Sequence, residues 1–218
     1  MPEADVNKYV LSSPGMPRVF SALIWLMLCA PAVALTGNAP AALPGGRHAV
    51  MIVGSHGTSC TGTAIARDLV LTAGHCIEPD TTYKVVEFDA ARQPQLLDVR
   101  ELARHPQFDV QTLFAHRATA DVALLKMVQP LPPDIIPATL GNNARTPQVG
   151  DRLTVVGYGV AVRGDGKTGG TLRAAPLTVT GKPGNLQIRL VDPATGVTPL
   201  TLYRDWIVET ARRLGSPL

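Results

Sequence analysis

The residues best equipped for chemistry sit in one short stretch and at one distant position. Ser59-Cys60-Thr61-Gly62-Thr63-Ala64-Ile65 runs into Leu69-Val70-Leu71-Thr72-Ala73-Gly74-His75-Cys76, so an imidazole adjoins one sulfur, and a second sulfur lies sixteen residues before the first. Imidazole is the side chain whose charge changes nearest neutral pH, which suits it to acid–base work. Asp121 follows His75 by 46 residues and heads the apolar run Asp-Val-Ala-Leu-Leu-Lys. Taken alone, an aspartate before an apolar run is a turn or cap residue, and a histidine beside a cysteine is a weak signal. The coincidence of small residues leading into His-Cys with a partner cysteine upstream is specific.

This stretch resembles the first motif of the trypsin-like (chymotrypsin-fold) serine peptidases, in which a cysteine before one strand pairs with the cysteine after the catalytic histidine. The resemblance implies His75 as general base, a Cys60–Cys76 disulfide, and Asp121 as the carboxylate that accepts the imidazole Nδ1–H and stabilises the imidazolium. A Cys60–Cys76 bridge would close a loop of 15 residues, worth about 3 kcal/mol on the loop-entropy account, and would pin the backbone beside His75. Gly74 stands where the family usually has alanine, a departure expected to loosen the turn. His105-Pro106-Gln107-Phe108-Asp109, Val156-Gly157-Tyr158-Gly159 and Tyr203-Arg204-Asp205-Trp206-Ile207 resemble the family's His-Pro loop, Gly-Trp-Gly turn and closing helix. His48, His56, His105 and His116 carry no second motif and read as surface or loop residues. Ile52-Val53-Gly54 looks like an activated N-terminus of the family, but it precedes His75 by only 23 residues. Leu35, 40 residues before His75, fits that place better.

The third element of the family's site, a Gly-Asp-Ser-Gly-Gly nucleophile motif with its oxyanion-hole amides, has no counterpart. Leu-Gln-Ile-Arg-Leu-Val-Asp-Pro-Ala-Thr-Gly runs straight into Val-Thr-Pro-Leu-Thr-Leu-Tyr-Arg-Asp-Trp-Ile. Beyond Asp121 the one serine is Ser216, expected at a frayed tail. Ser55 and Ser59 lie with the histidine motif, and Thr195 and Thr198 flank the junction without a nucleophile turn. The resemblance therefore implies peptide-bond hydrolysis as the family role and an impaired chain as written. The alternatives are a non-catalytic pseudopeptidase that binds polypeptide, or the product of an in-frame deletion or faulty gene model.

The elements that must position these residues read as strands. The chain has 218 residues, 45% apolar and 17% charged, with 20 Gly and 19 Pro punctuating short apolar runs, a pattern of β structure with many turns. Ala-Val-Met-Ile-Val-Gly, Thr-Gly-Thr-Ala-Ile-Ala and Leu-Val-Leu-Thr-Ala-Gly are three strands rich in Val, Ile, Leu and Thr. Tyr-Lys-Val-Val-Glu-Phe and Leu-Leu-Asp-Val-Arg-Glu-Leu continue them, and the run after Asp121 is too apolar for a half-exposed strand, so it should be buried. Five prolines punctuate a connection over 129–150. Strands resume at Asp151, and the glycine-rich Arg163–Gly170 lacks phosphate-loop spacing and reads as a loop tip. Tyr203, Trp206, Ile207, Thr210, Ala211 and Leu214 share one face of a closing helix, with Arg212 and Arg213 near its C-terminal end.

The expected fold is all-β: a double antiparallel barrel with one C-terminal helix and an incomplete second barrel. The first barrel spans about 48–128 and the truncated second barrel with its helix about 151–214. The apolar run 19–35 ends in Ala32-Val33-Ala34 and reads as a signal peptide over 1–34, with Met16 as an alternative start and cleavage after Ala34. That implies a secreted or periplasmic domain over 35–218, monomeric if folded, with no membrane span after cleavage. Cys29 follows Leu28, where a lipidated cysteine would follow a small residue. A charge of +3 without a basic stripe argues against nucleic acid. No cofactor is expected and no metal site either, since carboxylates are not clustered at ligand spacing and the cysteine pair has few further ligands. The partner class is a polypeptide.

Overall fold

The structure, a computed structural model, describes residues 46–218 apart from Ala90, Arg92, His116, 142–144, 160–168, 183–185, Gln187 and 191–195. The expected signal peptide, Cys29, Leu35, most of the glycine-rich loop and most of the Asp-Pro-Ala-Thr-Gly junction lie outside the described residues. No helix among the described residues is long and apolar enough to cross a membrane.

Six strands form the first half: β1 (Ala49–Gly54), β2 (Ser59–Ala66), β3 (Leu69–Thr72), β4 (Tyr83–Phe88), β5 (Pro94–Arg104) and β6 (Ala123–Met127). They close into an antiparallel barrel in the order β1-β2-β3-β6-β5-β4, because β1 bonds to β2 on one side and β4 on the other. The alternation of the pleat sorts the side chains. Val50, Ile52, Val70, Val85, Leu125 and Met127 fill the interior. Gly62 belongs there for lack of room: a Cβ on it would lie 2.4 Å from Val70 Cγ1 and 2.8 Å from Ile52 Cδ1.

The buried character expected of the Asp121 strand has a two-sided cause. Every residue of β3 and of β6 is buried. Val70 and Leu125 point into the barrel, whereas Leu69, Leu71, Val122 and Leu124 form a second apolar cluster on the outside with Tyr203, Ile207, Ala211 and Leu214 of the closing segment. The helix over Arg204–Arg213 thus covers the first barrel's outer wall. Its buried face matches the stripe read from the sequence, with Asp205 in the first turn and Arg212 and Arg213 in the last, the charge order that suits a helix dipole.

The proline-rich connection is strapped to the same barrel. Leu131 and Ile135 plug its interior, while the Arg67 guanidinium donates to the carbonyls of Leu131 (2.6 Å), Ile135 (2.9 Å) and Pro132 (3.3 Å). The second half holds β7 (Arg152–Gly157), β8 (Arg173–Gly181), β9 (Ile188–Leu190) and β10 (Gly196–Val197) in one antiparallel sheet, order β10-β9-β8-β7. Ala175, Leu177, Val179, Ile188 and Leu190 make its core.

Two expectations need correcting. A short helix, α1 (Val110–Phe114), stands between β5 and β6, capped by Asp109, whose side chain accepts from Gln111 N. Five residues are too few to show helical periodicity, so only the cap was there to be read. The C-terminal segment does not fray. Ser216 is buried, its hydroxyl donating to Asp68 Oδ1 (2.5 Å) and accepting from Lys126 Nζ (2.5 Å).

Candidate active site

His75 lies in a 3-10 turn, Gly74–Cys76, that follows β3 directly. Because β3 pairs with β6 in the register Thr72↔Ala123, the end of one strand and the approach to the other lie side by side, and Asp121 faces the turn. Its carboxylate is used twice: Oδ2 accepts from His75 Nδ1 at 2.8 Å, and Oδ1 accepts from the His75 backbone N–H at 2.8 Å. One group therefore fixes ring and backbone together. A carboxylate is an acceptor only, so Nδ1 carries the hydrogen and Nε2 the lone pair. The His75 side chain is 49% exposed and that of Asp121 17%, which leaves the imidazole open to solvent and its partner shielded. The hydrogen bond and charge of Asp121 raise the His75 pKa above the ordinary histidine value, against an opposing effect of burial. An imidazole so arranged can take a proton at Nε2 from a group that approaches the surface.

The disulfide expected between Cys60 and Cys76 is present, with Cα atoms 6.2 Å apart. It joins the start of β2 to the residue after His75. Gly74 does not loosen this turn. A Cβ there would meet the Phe108 ring at 3.0 and 3.2 Å and Val122 N at 3.2 Å, so the missing methyl is the space that Phe108 occupies. Arg104 lies over the Phe108 ring at 5.1 Å and donates to Ile77 O at 2.7 Å, bracing the turn from its far side.

His105 lies in a loop, one of the two places its lack of motif suggested, but its ring is packed. Its ring sits edge-on to Tyr203 (5.2 Å) and tilted against Trp206 (4.8 Å), and its backbone N–H donates to Val122 O at 2.9 Å. Burial lowers its pKa. Tyr203 is buried with its hydroxyl unpartnered among the described residues; burial and then the charge of Asp121 raise its pKa. Closing helix, His105 and the approach to Asp121 thus form one packed unit. The signal available was the spacing of aromatics on the helix, but nothing local tied it to His105. His48 Nδ1 is paired with Ile136 O, and His56 Nδ1 with Thr81 Oγ1 at 3.0 Å. Each fastens a loop.

The hydroxyls are dispersed. Ser55 Oγ accepts from Thr82 N in the β1–β2 turn, and Ser59 is exposed at the head of β2. Thr195 lies outside the described residues. Thr198 lines an apolar groove of about 350 Å³ between the second sheet and the closing segment, with Leu140, Leu153, Ile188, Pro199 and Leu200. Ser216 belongs to a cluster at the opposite end of the β3–β6 pair from His75. Lys126 Nζ donates to Asp68 Oδ2 and Ser216 Oγ, each at 2.5 Å. Asp68 precedes β3 whereas His75 follows it, and Lys126 is paired with Leu69 while Ala123 is paired with Thr72. Burial pushes the Asp68 pKa up, but the hydrogen bonds from Lys126 and Ser216 and the lysine charge outweigh it and hold it down. The Ser216 hydroxyl is thus held between a carboxylate and an ammonium, away from the His75 imidazole.

The family model described as Trypsin matches residues 36–190. The chain belongs to the trypsin family. Among curated relatives of this trypsin-family chain, mouse vitamin K-dependent protein C is 31% identical over 122 residues, which is 51% of this chain and 25% of that protein. The vitellin-degrading protease of Bombyx mori is 33% identical over 124 residues, 54% of this chain and 44% of its own length. The chain thus spans less than half the length of either. Among solved structures, GrC superposes with a TM-score of 0.65 at 19% identity, covering 81% of this chain and 98% of its own. That likeness is one of fold.

Proposed function

We propose that this chain is a trypsin-family protein in which His75 and Asp121 hold the places of the catalytic base and its orienting carboxylate, while the serine nucleophile is lacking, so that peptide-bond hydrolysis, the family's role, is impaired. The family's substrates are polypeptides, and the chain is read as keeping that partner class. The observation that carries the reading is the fate of Ser216, the one serine after Asp121, which is buried in the Asp68–Lys126 cluster. In a Ser-His-Asp enzyme, loss of the serine alone costs about a million-fold in kcat, about 8 kcal/mol. The loss here extends to the motif that would supply the oxyanion-hole amides.

A second reading, a pseudopeptidase that binds polypeptide without cutting it, is favoured by the apolar groove at Leu140, Leu153 and Leu200. On either reading residues 1–34 act as an export signal and 35–218 as the mature monomeric domain; the Cys60–Cys76 disulfide fits an oxidising compartment. The third reading is a chain shortened by deletion or mis-assembly of its gene.

Exposure of the full chain to an organophosphonate that titrates serine peptidases should label nothing under conditions in which trypsin is labelled stoichiometrically. Stoichiometric labelling of any serine overturns the proposal. Resequencing the bases that encode 192–199 separates the third reading from the others: a Gly-Asp-Ser-Gly-Gly segment found there would make the native protein an ordinary enzyme.

A further inference from the structure

Among the described residues, the two sulfurs of Cys60 and Cys76 and a ring nitrogen of His75 lie within 4.8 Å of one another. Read along the chain, the cysteine pair has too few neighbours for a metal, yet the turn that carries Cys76 also delivers the third ligand type. In the oxidised protein the sulfurs are bonded to each other and offer no thiolate. With Cα atoms 6.2 Å apart, rotation about each Cα–Cβ bond can change the spacing of the sulfurs once that bond opens.

We propose that reduction of the Cys60–Cys76 bond converts Cys60, Cys76 and His75 into a three-ligand site for a thiolate-seeking divalent cation, Zn²⁺ above all, with water in the fourth position. Two cysteines and one histidine with an open position form a donor set that zinc accepts at about 2.3 Å from sulfur and 2.0–2.1 Å from nitrogen. Asp121 supplies the support such a histidine needs: it accepts the Nδ1–H at 2.8 Å, orients the ring, raises its basicity and leaves the Nε2 lone pair for the cation. The half-exposed His75 gives an entry path, and the buried Cys76 gives shelter from solvent.

The chemistry balances through thiol–disulfide exchange. A dithiol breaks the Cys60–Cys76 bond, closes to its own disulfide and so leaves both electrons and both protons on the two cysteines. Each thiol then loses its proton to solvent as the cation binds, so uptake of one cation releases two protons. A bound cation and a free imidazole at Nε2 exclude each other. The inference stands on ligand geometry and not on the peptidase reading, and it holds whether or not the chain cleaves peptides.

The test is a Co²⁺ titration of the full chain, oxidised and after reduction by a phosphine. The phosphine takes the oxygen of a water molecule, becomes its oxide and does not compete for metal as a dithiol would. The reduced chain should bind one Co²⁺ with a thiolate-to-metal charge-transfer band and the intense visible bands of a tetrahedral site, both erased by Zn²⁺. The oxidised chain should show neither. Asp121→Asn should weaken binding about tenfold and His75→Ala more than that, while Cys29→Ser should change nothing. Binding by the oxidised chain as tight as by the reduced one overturns the proposal, and so does a His75→Ala variant that binds within about threefold of the parent. Far-ultraviolet circular dichroism guards against a trivial result: a reduced chain that unfolds and is not refolded by Zn²⁺ also overturns it.

Discussion

In the first half of the molecule six strands return on themselves, β1 closing the ring through β2 and β4, whereas in the second half four described strands lie in the order β10-β9-β8-β7 without such a return. Closure removes edges and seals an interior. It also creates an outer wall on β3 and β6, and the chain comes back after the second sheet to cover that wall with α2 (Arg204–Arg213). The first half therefore holds two apolar clusters and the second one small cluster of five buried residues. His75 and Asp121 both hang from the closed half, as do the disulfide and the Asp68–Lys126–Ser216 cluster. The geometry of the His75–Asp121 pair is thus explained by where it sits.

This contrast is sharpened most by a pair of truncations. Leu125→Ala, inside the barrel, should cost about 3 kcal/mol in urea unfolding and lower the main transition. Leu177→Ala, in the open sheet, should leave that transition in place and speed amide hydrogen exchange only in β7–β9. Equal effects of the two on the main transition would mean that the halves fold as one unit. Next in size is Lys126→Met, which strands Asp68 beside a buried hydroxyl. A loss of about 2 kcal/mol is expected, less than for a fully buried pair because Asp68 is partly exposed. Loss of protection in α2 amides by hydrogen exchange would trace it to the docking of the tail.

Gly74→Ala should cost about 1 kcal/mol, since the methyl meets Phe108 and the backbone of Val122; the double change with Phe108→Leu should recover most of it. The smallest effect is on pH dependence, and the two histidines should oppose each other. The raised pKa of His75 makes its contribution complete below the ordinary histidine value of about 6.5 and lost as pH rises through the folded value. The lowered pKa of His105 makes its contribution present above that ordinary value and lost as pH falls through the folded one. Comparison of the parent with His75→Gln should show a stability gap that narrows from pH 6 towards pH 8. A gap that widens instead would contradict the pairing with Asp121.

Strands, turn positions and the amphipathic face of the closing helix were legible because each rests on a pattern within a few residues. The expected strands near 49–54, 61–66 and 69–74 correspond to β1, β2 and β3. The Cys60, His75 and Cys76 spacing was legible for the same reason. α1 was not, because a helix of five residues has no period. Gly74 was misread because its neighbour Phe108 lies 34 residues away in sequence, and the ring contacts of His105 were not legible because its aromatic partners come about a hundred residues later.

By itself the sequence determined the strand-rich fold, the pairing of Cys60 with Cys76, and His75 and Asp121 as the residues to watch. Tertiary structure alone decided that the closing helix covers the first barrel, that His105 is wedged between rings, and that Ser216 is locked to Asp68 and Lys126 across 148 and 90 residues of chain. The division has a physical cause. Backbone propensity and side-chain alternation act between near neighbours and leave their mark in local order, whereas burial of a hydroxyl or a ring depends on which distant surfaces meet, and that is fixed only when the barrel closes.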